Sequence, residues 1–121
     1  MKALELARHF IAAVEVGDTE TARACFTSDA RIWHNFDDHA QTVDENMKLL
    51  GWMMKKAAKR RYEITRLEEI DGGYLQQHVL RLTNHAGEEA AMHACVVVAV
   101  SEGKISRIEE YLDPAPTSIL Q

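Results

Sequence analysis

The chain has few cysteines, few prolines and no long apolar run, and each shortage excludes something. Cys25 and Cys95 stand far apart with no metal-type spacing, so neither a disulfide scaffold nor a cysteine metal site is expected. Two reduced thiols acting as small apolar residues fit a cytoplasmic protein. No Gly-x-Ser-x-Gly elbow occurs and neither cysteine has an adjacent base, which leaves nucleophilic catalysis without support. A glycine-rich phosphate loop is also missing. The longest apolar stretch, "ACVVVAV" at 94–100, is strand-sized and valine-rich, so no membrane span is expected. The opening "MKALELARHFIAAVEVGD" is interrupted by Glu5, Arg8 and His9, which argues against a secretory signal. A net charge of −5 disfavours nucleic acid and anionic membrane as partners. The basic run "KKAAKRR" at 55–61 reads as a helix C-terminus, where cations complement the dipole.

What is present is ordinary globular material: 121 residues, 46% hydrophobic and 27% charged, enough to bury one core in one domain over 1–121. Leu4, Ala7, Phe10 or Ile11, and Val14 recur at helical spacing, predicting a helix over 3–16 closed by Gly17. Asp18 or Thr19 caps a shorter helix running to about Phe26. A short strand "ARIWHNF" and a polar loop "DDHAQ" follow. Thr42 with Glu45 forms a capping box ahead of a helical stripe of Val43, Met47, Leu50, Met54 and Ala57, ending near Lys59.

After residue 60 the pattern changes. "RYEITRLEEI", "YLQQHVLRLTN", "AAMHACVVVAV" and "KISRIEEYLD" read as strands separated by the hairpin signals "DGG", "NHAGEE" and "SEGK". Helices first and an antiparallel meander afterwards imply an α+β fold. Three helices against a curved antiparallel (mixed) sheet enclose a cone too deep to fill, the usual form of a small-molecule site.

Several local phrases carry a family resemblance. "FIAAVEVGDTETARACFTSDARIW" resembles the opening of the nuclear-transport-factor-two-like superfamily, and "EGKISRIEEYLD" resembles its closing strands. The pattern is most similar to SnoaL-like and ketosteroid-isomerase-like members, which implies a cystatin-like α+β roll, commonly dimeric. In ketosteroid isomerases a tyrosine on the first helix and an aspartate ending the first strand act together; the matching positions are Phe10, which lacks the hydroxyl, and His34. Limonene-type epoxide hydrolases hold water with an aromatic-x-Asn pair, which Trp33 and Asn35 resemble. Their Arg-x-Asp strand aligns with His78-Val79-Leu80, and their third carboxylate with Glu110. SnoaL-like polyketide cyclases place an acid–base aspartate at the position of Glu110.

The residues themselves single out Glu110 independently. In "ISRIEEYLD" Glu109 shares a side with Arg107, whereas Glu110 stands between Ile108 and Leu112 in the apolar row. A carboxylate on the cavity side loses hydration, so its pKa should rise toward the working pH. His34 falls inward by parity with Ile32 and Phe36, while the resemblance favours Trp33 and Asn35 facing in; a one-residue shift separates the two. Met92, Ala94, Val96 and Val98 are expected inside, with His93 and Cys95 outside. The reading is therefore cofactor-independent acid–base catalysis on a small hydrophobic carbonyl or hydroxy compound. Glu110 and His34 would exchange the proton, His78 would orient Glu110 or a substrate oxygen, and Trp33, Asn35, Met92 and Leu80 would contact the substrate. "HNFDDH" at 34–39 lacks a ligand spacing and reads as a solvated loop, so no metal and no cofactor are expected. Val97 and Ala99, apolar on the outer face, would suit a homodimer. The competing readings are a non-catalytic ligand-binding or scaffold module, and an epoxide hydrolase.

Overall fold

A computed structural model describes every residue from Met1 to Gln121. Helix α1 spans Ala3–Val16 and buries Leu6, Ala7, Ala13 and Val14. Gly17 ends it with φ 72°, and its N–H donates to Ala13 and Val14 carbonyls. Glycine is required there twice over. The left-handed backbone disfavours a side chain, and an added Cβ would sit 2.5–2.7 Å from the side chain of Met54. Asp18 then caps α2, Thr19–Ala24, by accepting the Thr21 N–H.

Strand β1 (Phe26–His34) turns directly into β2 (His39–Thr42), pairing Trp33 with Ala40 and His34 with His39. The polar loop expected at "DDHAQ" is therefore half turn and half edge strand. Aspartate makes the tight reversal possible: Asp38 takes φ 52° and accepts the Trp33 indole N–H, while Asp37 accepts the His39 N–H. Thr42 and Glu45 form the capping box that starts α3, Val43–Lys56. The helix stops before Lys59 because Ala57 already pairs with Asn84, at the start of β3 (Ala57–Ile70).

Strands β4 (Gly73–Asn84), β5 (Glu89–Ser101) and β6 (Lys104–Leu112) complete the meander. The strand order is β2-β1-β6-β5-β4-β3, with β1 and β6 parallel and every other pair antiparallel. The sheet is open, and register shifts that place extra residues in β1, β3 and β6 bend strands of up to 14 residues, because a bulge adds twist and kinks the strand that carries it. Gly73 permits the close approach of β4 to β5, since a Cβ there would lie 1.8 Å from the Val98 carbonyl oxygen. No helix is long and apolar enough to cross a membrane.

Two separate apolar clusters form. The larger joins α1, α2 and α3 to Phe26, Ala30, Ile32, Tyr74, Val96, Val98, Ile105 and Ile108 of the sheet. The smaller holds Ala57, Leu80, Leu82, Met92 and Leu120, the last delivered by a 3₁₀ helix at Ala115–Leu120. Fully enclosed side chains such as Leu6, Leu82 and Ile105 each contribute about 1.5–3 kcal/mol through burial. Between the two clusters the core does not close, and that gap is the site.

Candidate functional site

A cavity of about 470 Å³ occupies the concave side of the sheet. Members of both clusters wall it: Ile32, Val96 and Ile108 from one, Leu80 and Met92 from the other. Helix α3 adds Leu49, Trp52 and Met53, and Phe36 and Leu49 remain partly exposed at the rim. Seventeen of the 25 lining residues are hydrophobic, so the few polar groups stand out. They include His34, Glu110, Gln76 and His78, and two of the seventeen, Tyr62 and Tyr74, add phenol groups.

His34 ends β1 and pairs in parallel register with Glu110 on β6. Both side chains point inward, and His34 Nε2 lies 2.9 Å from Glu110 Oε1. A carboxylate can only accept, so Nε2 carries the shared hydrogen. His34 Nδ1 is enclosed and has no partner. Its side chain is 5% exposed and that of Glu110 22%. Both line the cavity, the carboxylate the more open and His34 the more enclosed of the two. Proton exchange with a substrate by His34 itself does not fit this arrangement, because its second nitrogen is sealed off.

The same ladder continues across the sheet. Glu110 is opposite Val96, and Val96 is opposite Gln76. Two strand spacings, about 10 Å, separate the backbones of Glu110 and Gln76, with Val96 as the floor between them. Gln76 is buried, and its Nε2 lies 2.9 Å from His78 Nδ1. His78 stacks edge-on against Tyr62, with ring centroids 5.2 Å apart. Burial holds the His78 imidazole below its ordinary pKa, and the negative charge of Glu110 opposes that only in part. Burial likewise pushes the Tyr62 phenol well above its ordinary value; Arg60 counteracts this, while Glu110 and Glu15 add to it. His78 was expected to orient Glu110 or a substrate oxygen; its side-chain hydrogen bond is with Gln76, and the side chain in contact with the Glu110 carboxylate is His34.

Of the residues expected to touch substrate, Met92 and Leu80 line the cavity, whereas Trp33 and Asn35 do not. Parity decides this: with His34 inward, its neighbours face out. Trp33 donates to Asp38 and packs edge-on against Tyr111 at 5.3 Å. Asn35 ties β1 to the end of β6, its N–H donating to the Glu110 carbonyl and its Oδ1 accepting the Leu112 N–H. Its amide cannot hold a water in the cavity. Met92, Ala94, Val96 and Val98 are buried on the inner side, His93 and Ala99 are exposed, and Cys95 and Val97 are half-buried. In "HNFDDH", His34 turns inward while His39 pairs with Glu45 outside. Sequence reasoning missed Tyr62 and Gln76. An aromatic in the otherwise charged "KRRYEITR" was the available signal for the first, and residence in the His78 row for the second.

Solved structures with this architecture come from several functional backgrounds. An LEH-like epoxide hydrolase of M. tuberculosis superposes with a TM-score of 0.78 at 19% identity, covering 94% of this chain and 84% of that one. A candidate SnoaL-like polyketide cyclase from Shewanella putrefaciens gives 0.83 at 10% identity, covering 98% and 84%. A ketosteroid isomerase-like fold from Catenulispora acidiphila, in complex with trimethylamine, gives 0.81 at 10% identity, covering 93% and 88%. At these identities the likeness concerns the fold. No curated protein matches the chain. The SnoaL-like domain model matches residues 7–108, most of the chain including β1 and the strand that carries Gln76 and His78, and the chain therefore belongs to the SnoaL-like domain family.

Proposed function

We propose that this protein catalyses proton transfer on a small, largely apolar molecule, with Glu110 as the group that takes and returns the proton. The observation that carries the reading is the Glu110–His34 pair on the wall of a largely apolar cavity. A carboxylate needs a hydrogen-bond donor to be tolerated there, and His34 supplies one while leaving the other oxygen for substrate. A base so positioned, in a site from which water is largely displaced, contributes rate factors on the order of 10²–10⁴. His34 is a positioning residue in this scheme. Isomerisation and cyclisation fit it without any cofactor of the protein's own.

Surrogate compounds suffice for the test. A panel of cyclic ketones and β,γ-unsaturated ketones is incubated in D₂O, and deuterium uptake is followed by NMR. Wild-type protein is expected to accelerate exchange for at least one apolar member, and Glu110→Gln to abolish that acceleration while still binding the compound. Binding without exchange by the wild type would instead establish a ligand-binding module. Epoxide hydrolysis is less well supported, because Asn35 is engaged with Leu112 and Leu80 offers no acid.

A further inference from the structure

We propose that the groove where α3 runs into β3 binds a small polyvalent oxyanion, a phosphate or a carboxylate, with Arg60 as its anchor. Of the basic run at 55–61, only Lys55 and Lys56 lie in the last turn of α3, where they complement the dipole. Lys59, Arg60 and Arg61 belong to β3, so the helix end does not account for them. Together with Arg81 from β4 they line an open groove of about 1110 Å³. None of the residues lining this groove lines the cavity that holds Glu110. The site therefore stands or falls apart from the proton-transfer reading.

Charge within the groove does not balance. Arg61 and Arg81 are opposite one another in the β3–β4 ladder, and like charges so placed repel. One carboxylate serves both: Glu63 Oε1 accepts from Arg61 Nη2 at 2.6 Å and from Arg81 Nε at 2.8 Å. Glu15, near the end of α1, has its Oε2 committed to the Tyr62 N–H at 2.8 Å. Lys59 and Arg60 join no ion pair. A chain of net charge −5 thus gathers unneutralised cations in one place, and a field of that sign draws anions.

Arg60 makes the groove more than a basic patch. Its Nε, Nη1 and Nη2 are all enclosed, and none has a hydrogen-bond partner. Burial pulls the guanidinium below its ordinary pKa, with Tyr62 and Glu15 opposing, yet an arginine keeps its charge at neutral pH. Five N–H donors in a fixed fork are then left for an acceptor from outside the chain, and a buried charge without one is costly. The fork matches two oxygens of a phosphate or carboxylate through charge-assisted bonds. Entry needs one neighbour to give way. Met54 lines the same groove, is unbranched and is exposed, so it can swing aside at little cost. Lys59 and Arg61 reach solvent beside it and meet the remaining charge of a polyvalent anion.

Calorimetric titration of the whole chain with pyrophosphate and with citrate, at low salt, tests the site and separates the two kinds of oxyanion. Saturable binding of at least one of them, at one per chain, is expected. Arg60→Met should weaken it about tenfold or more, the worth of a hydrogen bond to a charged group. Lys2→Met removes the same charge at the other end of the sheet, where Met1 lies against Gly103, and should leave the affinity within about twofold. Glu63→Gln, which releases Arg61 and Arg81, should tighten binding. No saturable binding of either anion, or equal weakening in Arg60→Met and Lys2→Met, overturns the proposal. Thermal melting gives a second measurement. Without anion, Arg60→Met keeps an apolar stem and loses the unpaired charge, so it should melt at or above the wild-type temperature. Pyrophosphate or citrate should then raise the melting temperature of the wild type and not of Arg60→Met. A lower melting temperature for Arg60→Met without anion would show that the guanidinium is already satisfied inside the fold, and the site would be lost with it.

Discussion

Glu63 and Glu110 are both strand glutamates with nitrogen partners, and they differ in almost every consequence. Glu63 lies on the outer side of β3, where its Oε1 accepts from Arg61 Nη2 at 2.6 Å and from Arg81 Nε at 2.8 Å. Those contacts, Arg81 foremost, hold its carboxyl below the ordinary value. Water screens the cluster, and the open groove beside it is lined mainly by charged and polar side chains such as Arg60, Arg61, Arg81 and Glu89. Glu110 has a single side-chain partner, a histidine, and apolar walls around it. One carboxylate is satisfied and solvated. The other is held by one bond and has an oxygen to spare where a ligand would sit. An apolar lining and an oxygen left without a partner, more than the charge or the space itself, mark a site for proton transfer.

The sharpest way to break this contrast is to neutralise the inner glutamate. Glu110→Gln is expected to lower the exchange rate on ketone probes by a factor on the order of 10²–10⁴, while circular dichroism and the melting temperature show an intact fold. A variant that retains full rate would reduce the pair to structure. Next in size is His34→Leu. It strips Glu110 of its only side-chain donor and leaves a carboxylate unpaired against apolar groups, so a destabilisation of about 1–3 kcal/mol is expected in urea titrations. A rate loss of about tenfold or more should accompany it, because the base is no longer held in one orientation.

These expectations rest on features that were unevenly legible in the sequence. The four-strand meander and α3 could be read directly, since period-2 rows, turn signals and the Thr42–Glu45 box are local. Glu110 could be read because "RIEEYL" puts two glutamates on opposite faces. The facing of β1 could not. One residue of register separates His34 inward from Trp33 and Asn35 inward, and the deciding contacts lie on β6, about 75 positions away. Parity also fails within β3. A register shift between Ile64 and Arg66 brings Leu67, rather than Arg66, against the core. Tyr62 precedes that shift and faces the cavity. Such bulges follow from how a long strand must bend around the helices, and single-strand patterning carries no record of it. The Asn35 tie to Leu112 and the Gln76–His78 bond are similarly properties of the assembled sheet.

Acidity separates the inner groups from the outer ones as well. His78 has its pKa lowered by burial, with Glu110 from β6 opposing and Tyr62 from β3 packed on the ring. A group held neutral in the native state binds its proton more readily when unfolded, so the unfolded chain gains protons first as pH falls. The contribution of His78 is fully present above its unfolded value, about 6.5, and is lost between there and its lower native value. Stability measured by urea is expected to decline over that interval in the wild type, and less steeply in His78→Gln. An identical slope in the two would place the acid sensitivity elsewhere.

The smallest effect belongs to the outer glutamate. Glu63→Gln removes a carboxylate shared by two guanidinium groups, yet all three side chains reach solvent, where ion pairs are weakened by hydration and salt. Its depressed pKa means that whatever it contributes is present at neutral pH and fades as pH falls through its native value. At pH 7 the melting temperature is expected to stay within about 3 °C of wild type, with the difference shrinking further in 1 M salt. Deuterium exchange on the ketone probes should be unaffected, because neither Arg61 nor Arg81, the side-chain partners of Glu63, lines the cavity. A loss of exchange in Glu63→Gln comparable to that of Glu110→Gln would show that the two carboxylates are coupled through the sheet, and the distinction between a solvated pair and a cavity-facing base would have to be abandoned.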